Sequence, residues 1–528
     1  MNPARLLACT LATLLATLTS KATAGWPPDV EAALAAADKN RGELEKVLNH
    51  YRDLGDEQML SCAQFLIGNM PGHGHVVFAL KDKARATIPF DALASKDFAA
   101  AQLAMDQLEK LHGPLEFGRG RTDEDVRTIT SGQLIENIDL TFWAWRTLPW
   151  ARAMNVYTLR EYVLPYRGSE EPANSFRPAM IDRFKDLSAT LKDSTSATEA
   201  GKAIQANIAS YIAFSELYYL HPTDQGFNEM ARTRLGRCED ITNMQLYALR
   251  ANGIACASDY TPAWANRDNN HAWEVILNAN GEGRAELANI AAKIYRKTYS
   301  TQPAALGSQL AEGEAAPRWL KGKHYADVTS QYMPVSDVTI ELKVERPKGA
   351  RFVYLCVFNG GEWVPIHWAA LDADEPLVHF KAMGRNICYL PAYLVNDQII
   401  PAAAPLILEQ DGTTRLLDGT PPGGSGPGWS SSKPDTTSIE ITTTVPSIPD
   451  ADTRREKPSI KVEPGVTYEL LVWDDALKTW NSHGTQTASD KPVTFDKVPR
   501  DRLLWMKTES GRNLERIFTI ESGRQIFW

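Results

Sequence analysis

Gly236-Arg237-Cys238-Glu239-Asp240, followed at a distance by Asn270-His271-Ala272-Trp273, is the part of the chain on which the fold turns. Residues 241–250 (ITNMQLYALR) carry Ile241, Met244, Leu246, Tyr247 and Leu249 close to helical spacing, which predicts a helix starting near Cys238. Glu239 and Asp240 fall in its first turn, where acidic side chains suit the positive end of the helix dipole. A thiol at that end is expected to have a lowered pKa and to favour the thiolate. Gly253 to Ala257 reads as a short strand, Asn266 to Asn270 as a polar turn, and His271 to Leu277 (HAWEVIL) as a second strand. Cys238 and His271 stand 33 positions apart, so only folding brings them together. A Cys and a His paired that way make a nucleophile and its base.

Upstream of this core the chain reads mainly as helix. Val30 to Ala37, Leu44 to Leu54 and Thr198 to Leu217 carry helical periodicity, and Asp97 to Leu111 is expected to bury one face. Gly72-His73-Gly74-His75 reads as a turn, with no third ligand in sequence to make it a metal site. Downstream the period changes to two. Val338, Ile340, Leu342 and Val344 alternate with polar residues, and Asn359-Gly360-Gly361 reads as a hairpin turn between two strands. The expected class is therefore α+β. A helical N-terminal region (25–205) precedes an α+β core (206–320), and two antiparallel β-sandwich-like domains follow (321–418 and 458–528). Between those two, 419–457 is expected to be a Pro/Gly/Ser-rich linker.

Residues 1–24 read as a secretory signal: Arg5, an apolar run from Leu6 to Leu18, and Ala22-Thr23-Ala24 as a cleavage site, with the cut expected after Ala24. The expected location is secreted or periplasmic. No later apolar stretch is long enough for a transmembrane segment. A net charge of −9 argues against nucleic acid or anionic lipid as the main partner. Five cysteines follow the signal, an odd number that leaves at least one thiol unpaired. Cys356 and Cys388 stand either as a bridge or as two small buried residues.

Gly-x-Cys-x-Asp at 236–240, Arg250-x-x-Gly253-Ile254 and His271-Ala272-Trp273 together resemble the core of the transglutaminase-like superfamily of papain-type cysteine enzymes. The likeness is greatest to secreted, multidomain bacterial proteins with such a core. It extends to Phe65-Leu66-Ile67-x-Asn69-Met70-Pro71, Leu164-Pro165-Tyr166-Arg167, Asp259-Tyr260-Thr261-Pro262-x-Trp264-x-Asn266-Arg267 and Tyr295-Arg296-Lys297-Thr298-Tyr299-Ser300. The resemblance implies a papain-like fold and acyl transfer or hydrolysis at an amide through a Cys238 thioester, with His271 as base. No cofactor or metal is implied. The implied partner is a peptide or protein, with cell-wall peptide or glycan among the candidates.

The family's third catalytic residue is usually an Asp on the strand after a short hairpin. Here that segment reads Arg284-Ala285-Glu286-Leu287-Ala288-Asn289, which has no Asp and leaves Glu286 and Asn289 as candidates. The departure admits an alternative: a catalytically degenerate binding or scaffold protein of the cell envelope, with Trp363, Trp368, Trp473 and Trp480 on its binding faces.

Overall fold

The computed structural model describes residues 25–372, 376–419, 436–449, 456–476, 478–508 and 515–528. The expected signal, and residues 420–435 and 450–455 of the expected linker, lie outside the described residues.

Helices α1 (Pro28–Ala36), α2 (Arg41–Leu54) and α3 (Glu57–Gly68) come first. In α2, Leu44, Val47, Leu48 and Tyr51 fall on one helical face, and all four are buried. The Asp56 carboxylate caps α3 by accepting from the amides of Gln58 and Met59.

A small sheet then interrupts the expected helical region. Strand β1 (Gly74–Lys81) pairs antiparallel with β2 (Thr87–Ile88) and β3 (Glu116–Glu124), and α4 (Phe98–His112) lies between β2 and β3 in sequence. The expected turn at 72–75 is the entry to β1. Period alone did not reveal the strand, because Val76 to Leu80 is an unbroken apolar run. Helix α4 stands where expected, but Ala101 is its one buried residue, and Leu103 and Leu111 are 63% and 75% exposed. The cluster it joins, around Ala92, Leu220, Phe98 and Met105, is too small to cover the rest of the stripe.

After α5 (Ser131–Thr147) and α6 (Ala197–Ala209), the core begins with α7 (Cys238–Ala251). Strands β4 (Cys256–Thr261), β5 (His271–Ile276), β6 (Tyr295–Lys297) and β7 (Tyr325–Asp327) form one antiparallel sheet, in spatial order β5-β4-β6-β7. Register runs without a slip from Cys256 opposite Ile276 to Thr261 opposite His271. Side-chain alternation therefore sorts the two faces cleanly. Cys256 and Ile276 pack with Met244, Leu246 and Leu249 of α7. Ala257, Trp273 and Val275 pack into the core supplied by α1–α3 and α5. The sheet is thus covered by α7 on one face and by the N-terminal helices on the other.

Leu164-Pro165-Tyr166-Arg167 is an irregular, buried strip. Buried backbone outside helix or sheet needs partners, and arginines supply them. Arg177 donates to the Leu164 carbonyl (3.3 Å), which Asn137 Nδ2 also reaches (2.8 Å), and Arg250 donates to the carbonyls of Pro165 (3.4 Å) and Arg167 (2.5 Å). Arg167 itself pairs with Asp125, both side chains almost fully buried.

The C-terminal half contains two antiparallel units. In the first, β8 (Phe352–Asn359) and β9 (Glu362–Ala370) form the expected hairpin, β8 also pairs with β10 (Ile387–Val395), and strands Val335–Glu341 and Leu377–Gly384 pack across it. The second centres on strand Thr467–Asp474. Thr436–Ile441 pairs with Val493–Pro499 of this unit, although the sequence reading placed it in the 419–457 linker. Each unit has a core of its own, and a third cluster joins them. There Phe358 meets Trp505 with ring centroids 5.0 Å apart, and Trp473 meets Trp363 at 6.2 Å and Trp480 at 5.3 Å. Trp363, Trp473 and Trp480 are therefore inter-unit packing rather than binding faces.

Cys62, Cys238, Cys256, Cys356 and Cys388 are all free thiols. Cys356 and Cys388 occupy neighbouring strands two positions out of register, Cys356 facing Leu390, and both act as small buried apolar residues.

Candidate active site

Cys238 is the first residue of α7. The turn before it is built by Asp240, whose carboxylate accepts from the amides of Gln225 (2.8 Å) and Arg237 (3.0 Å) and from Gln225 Nε2 (3.1 Å). Gly236 makes this approach possible: a Cβ there would lie 2.6 Å from Asp240 Cβ. Asp240 thus acts as a helix-start device. Burial, and then the charge of Asp224, push its carboxyl up to about 6.

The Cys238 thiol receives backbone hydrogen bonds from Ala272 and Glu239, which favour the thiolate. Desolvation and the Glu239 charge outweigh them and push the thiol up to about 11. This corrects the expectation of a lowered pKa. The nearby cations are already committed: Arg237 pairs with Asp224, and Lys297 pairs with Glu239 while donating to Ser169 Oγ at 2.8 Å. Tyr260 pairs with Ala272 across the sheet. Trp319 lies 6.3 Å from the Tyr260 ring, and the Arg318 guanidinium sits between Trp319 and Phe78 of β1, 5.6 and 4.7 Å from their centroids.

His271 opens β5, which is an edge strand. Its ring stacks near Trp264 (5.9 Å) and Trp273 (5.6 Å). Trp273 Nε1 donates to the Tyr332 hydroxyl at 2.9 Å, and that hydroxyl donates to Asp259 Oδ2 at 2.7 Å. Asp259 is held by both Nε (2.8 Å) and Nη2 (2.9 Å) of Arg296. Cys238 and His271 therefore meet the same end of β5 from the two sides of the sheet: α7 packs on one face, and the His271 side chain shares the other with Trp273. The thiol lies against the backbone of Ala272, and the imidazole sits among the tryptophans that share its side of the strand.

The third position differs from the expectation. Residues 284–290 form no strand, and among the described residues nothing in the sheet lies beyond β5. The next strand in the core, β6, pairs with β4 instead. Glu286 is exposed on this irregular segment, and Asn289 is buried with its Oδ1 accepting from Asn266 at 3.4 Å. The carboxylate on the His271 side of the sheet is Asp259, already paired with Arg296. Sequence reasoning gave Asp259, Arg296 and Lys297 no role, although all three lie in the quoted 259–267 and 295–300 motifs. Among the described residues no three His, Cys, Asp or Glu side chains gather to hold a metal ion, and no helix is long and apolar enough to cross a membrane.

Residues 185–282 match the family model of the transglutaminase-like superfamily, so this part of the chain is similar to a transglutaminase-like domain. The match spans α7, β4 and β5, with Cys238 and His271 inside it. No curated protein matches the sequence. Among solved structures, a red sea bream transglutaminase is returned at 11% identity, covering 86% of this chain and 77% of its own, with a TM-score of 0.21.

Proposed function

We propose that the protein is an exported cysteine enzyme that cleaves or transfers amide-linked acyl groups of peptides or protein side chains, with Cys238 as nucleophile and His271 as base. The observation that carries this reading is the thiol at the first residue of α7, receiving a backbone hydrogen bond from the residue that follows His271. A thiol raised to about 11 is protonated at neutral pH, so it needs a base at the moment of attack.

In the proposed reaction, His271 takes the thiol proton as Sγ bonds to the carbonyl carbon. The tetrahedral oxyanion is met by backbone N–H groups at the start of α7, the Cys238 amide being the first candidate. Collapse breaks the C–N bond, His271 returns the proton to the departing amine, and a thioester remains. Water then gives a carboxylic acid, or a second amine gives a new amide, and either route restores the thiol.

Glu286 stands outside this scheme. Tyr332 and the Asp259–Arg296 pair brace Trp273, and through its stacking they steady the imidazole.

The test is a screen of peptide amides and amine acceptors with the whole protein and its Cys238→Ala variant, with the acyl-enzyme sought by mass spectrometry. An acyl adduct on Cys238 that is absent from the variant supports the reading. A Cys238 that forms no adduct and alkylates no faster than Cys256, fully buried on the next strand, would leave the binding or scaffold reading standing.

A further inference from the structure

The loop from Pro262 to Asn270 delivers His271 to the sheet, and on one side the core holds it, the Ala265 amide donating to the Ile290 carbonyl at 2.8 Å and the Ile290 amide to Asn266 Oδ1 at 2.9 Å. Strand pairing stops at Thr261 opposite His271, and within the loop the Trp264 amide donates to the Asn269 carbonyl at 3.1 Å. The other side is held from the neighbouring β unit. Asn359, the last residue of β8, is buried, and its Nδ2 donates to the carbonyls of Trp264 (3.0 Å), Arg267 (2.9 Å) and Asn269 (3.0 Å). Its Oδ1 accepts from the Asn269 amide at 3.1 Å. The next residue, Gly360, donates its amide to Asp268 Oδ1 at 2.8 Å. One side chain thus engages four backbone groups, its two N–H protons shared among three carbonyls, in a loop that sequence and family pattern assign to a different domain.

Asn269 shows what this grip does. Its φ is +75°, a left-handed conformation that costs a non-glycine residue energy unless its surroundings enforce it. Asn359 bonds both the N–H and the C=O of that residue, two positions before His271. Without the grip, Asn269 is free to relax toward negative φ, and the turn into β5 changes with it.

We infer that Asn359 is a positioning residue for His271, and that the first β unit completes the active site of the transglutaminase-like core. The inference rests on the proposed Cys238–His271 pairing. Its physical basis is that a displacement of about 1 Å in a catalytic group costs on the order of 100-fold in rate.

The experiment measures iodoacetamide alkylation of Cys238 in the full chain against pH, quantified by peptide mass spectrometry. Thermal unfolding is recorded for each variant. Wild type should show two limbs: one at lower pH that depends on His271, from His271-assisted attack, and one rising toward pH 11, from simple thiol ionisation. His271→Ala should keep only the second limb. Asn359→Ala should reduce the first limb about tenfold or more while leaving the second within about twofold. Glu362→Ala, an exposed change on the same hairpin, should match wild type. If Asn359→Ala fails to fold, Asp268→Ala weakens the same clasp through Gly360 and should shift the profile in the same direction.

A clasp variant whose first limb equals wild type overturns the inference, as does one that loses both limbs together, since that reports general collapse. A wild type with no His271-dependent limb overturns the catalytic reading itself and this inference with it, and that pattern is distinct from the other two.

Discussion

Replacing Asp240 by Ala tests whether the turn before Cys238 is built as described. The carboxylate serves three donors: the backbone amide and side-chain amide of Gln225, both buried, and the part-buried amide of Arg237. Each buried donor left without a partner costs about 1–3 kcal/mol, so the two buried ones alone give a gross loss of about 2–6 kcal/mol. A second term has the opposite sign. Burial, and then Asp224, raise the Asp240 pKa from 3.8 to about 6, so the folded state holds the protonated form more tightly than the unfolded chain does. Stability from this group is therefore fully present below pH 3.8 and is lost as pH rises through about 6. The gap between 3.8 and about 6 is worth ~3 kcal/mol. The Ala variant lacks that term. Wild type should thus exceed it most near pH 4, and the margin should shrink by ~3 kcal/mol by pH 7.

The assay is amide hydrogen exchange read on peptides spanning residues 223–240, at pH 4 and pH 7 and corrected for intrinsic rates. Protection of the Gln225 and Arg237 amides should drop by two or more decades near pH 4 and by less near pH 7. Unchanged protection at both values, or a larger loss at pH 7, would refute the reasoning, because the carboxylate would then not be the acceptor that organises this turn.

Three further outcomes are expected. Arg296→Met leaves Asp259 charged, buried and without its cation, and should cost about 3–5 kcal/mol in denaturant unfolding, with part restored when Asp259→Leu is added. The His73 and His324 rings lie 4.0 Å apart, and both contact the Tyr299 carbonyl, His73 through Nε2 and His324 through Nδ1. Burial is the largest cause lowering both pKa values, so their stabilising effect is present above 6.5 and lost as pH falls; a titration of melting temperature should show an acid slope that His324→Gln flattens. Cys356 and Cys388, both raised by burial, should react with a thiol reagent only after unfolding, and reductant should leave the melting temperature unchanged.

The helix at Cys238, the strand at His271 and the hairpin at Asn359 were legible because each has a local signature: an acidic first turn, an alternating run, an Asn-Gly-Gly turn. The thiol's raised pKa was not legible. Helix position favours the thiolate, but burial and the pairing of Arg237 and Lys297 with Asp224 and Glu239 are tertiary facts. The third site position failed for a related reason. Arg284 to Asn289 was assumed to form a strand by likeness, yet the chain leaves the sheet there and returns at Tyr295 on the far side of β4. Strand order is set by packing, and no window of sequence contains it. The β1–β3 sheet was missed because its central strand is a solid apolar run. Thr436–Ile441 was missed because it borders the Pro/Gly-rich stretch.

The tryptophan cluster between the two β units has a consequence for inheritance. Phe358 packs against Trp480 and Trp505 of the second unit, and its neighbour Asn359 holds the loop before His271. Arg516, from the second unit, donates to the carbonyl of Trp528 at 2.9 Å and also reaches the Ala265 carbonyl in that same loop. Core, first unit and second unit are thus joined by side chains that fit one another and nothing generic. A recombination event that traded either β unit for a foreign one of the same topology would break that fit. These three parts are expected to descend together through gene shuffling, their sequences drifting in step along the seam.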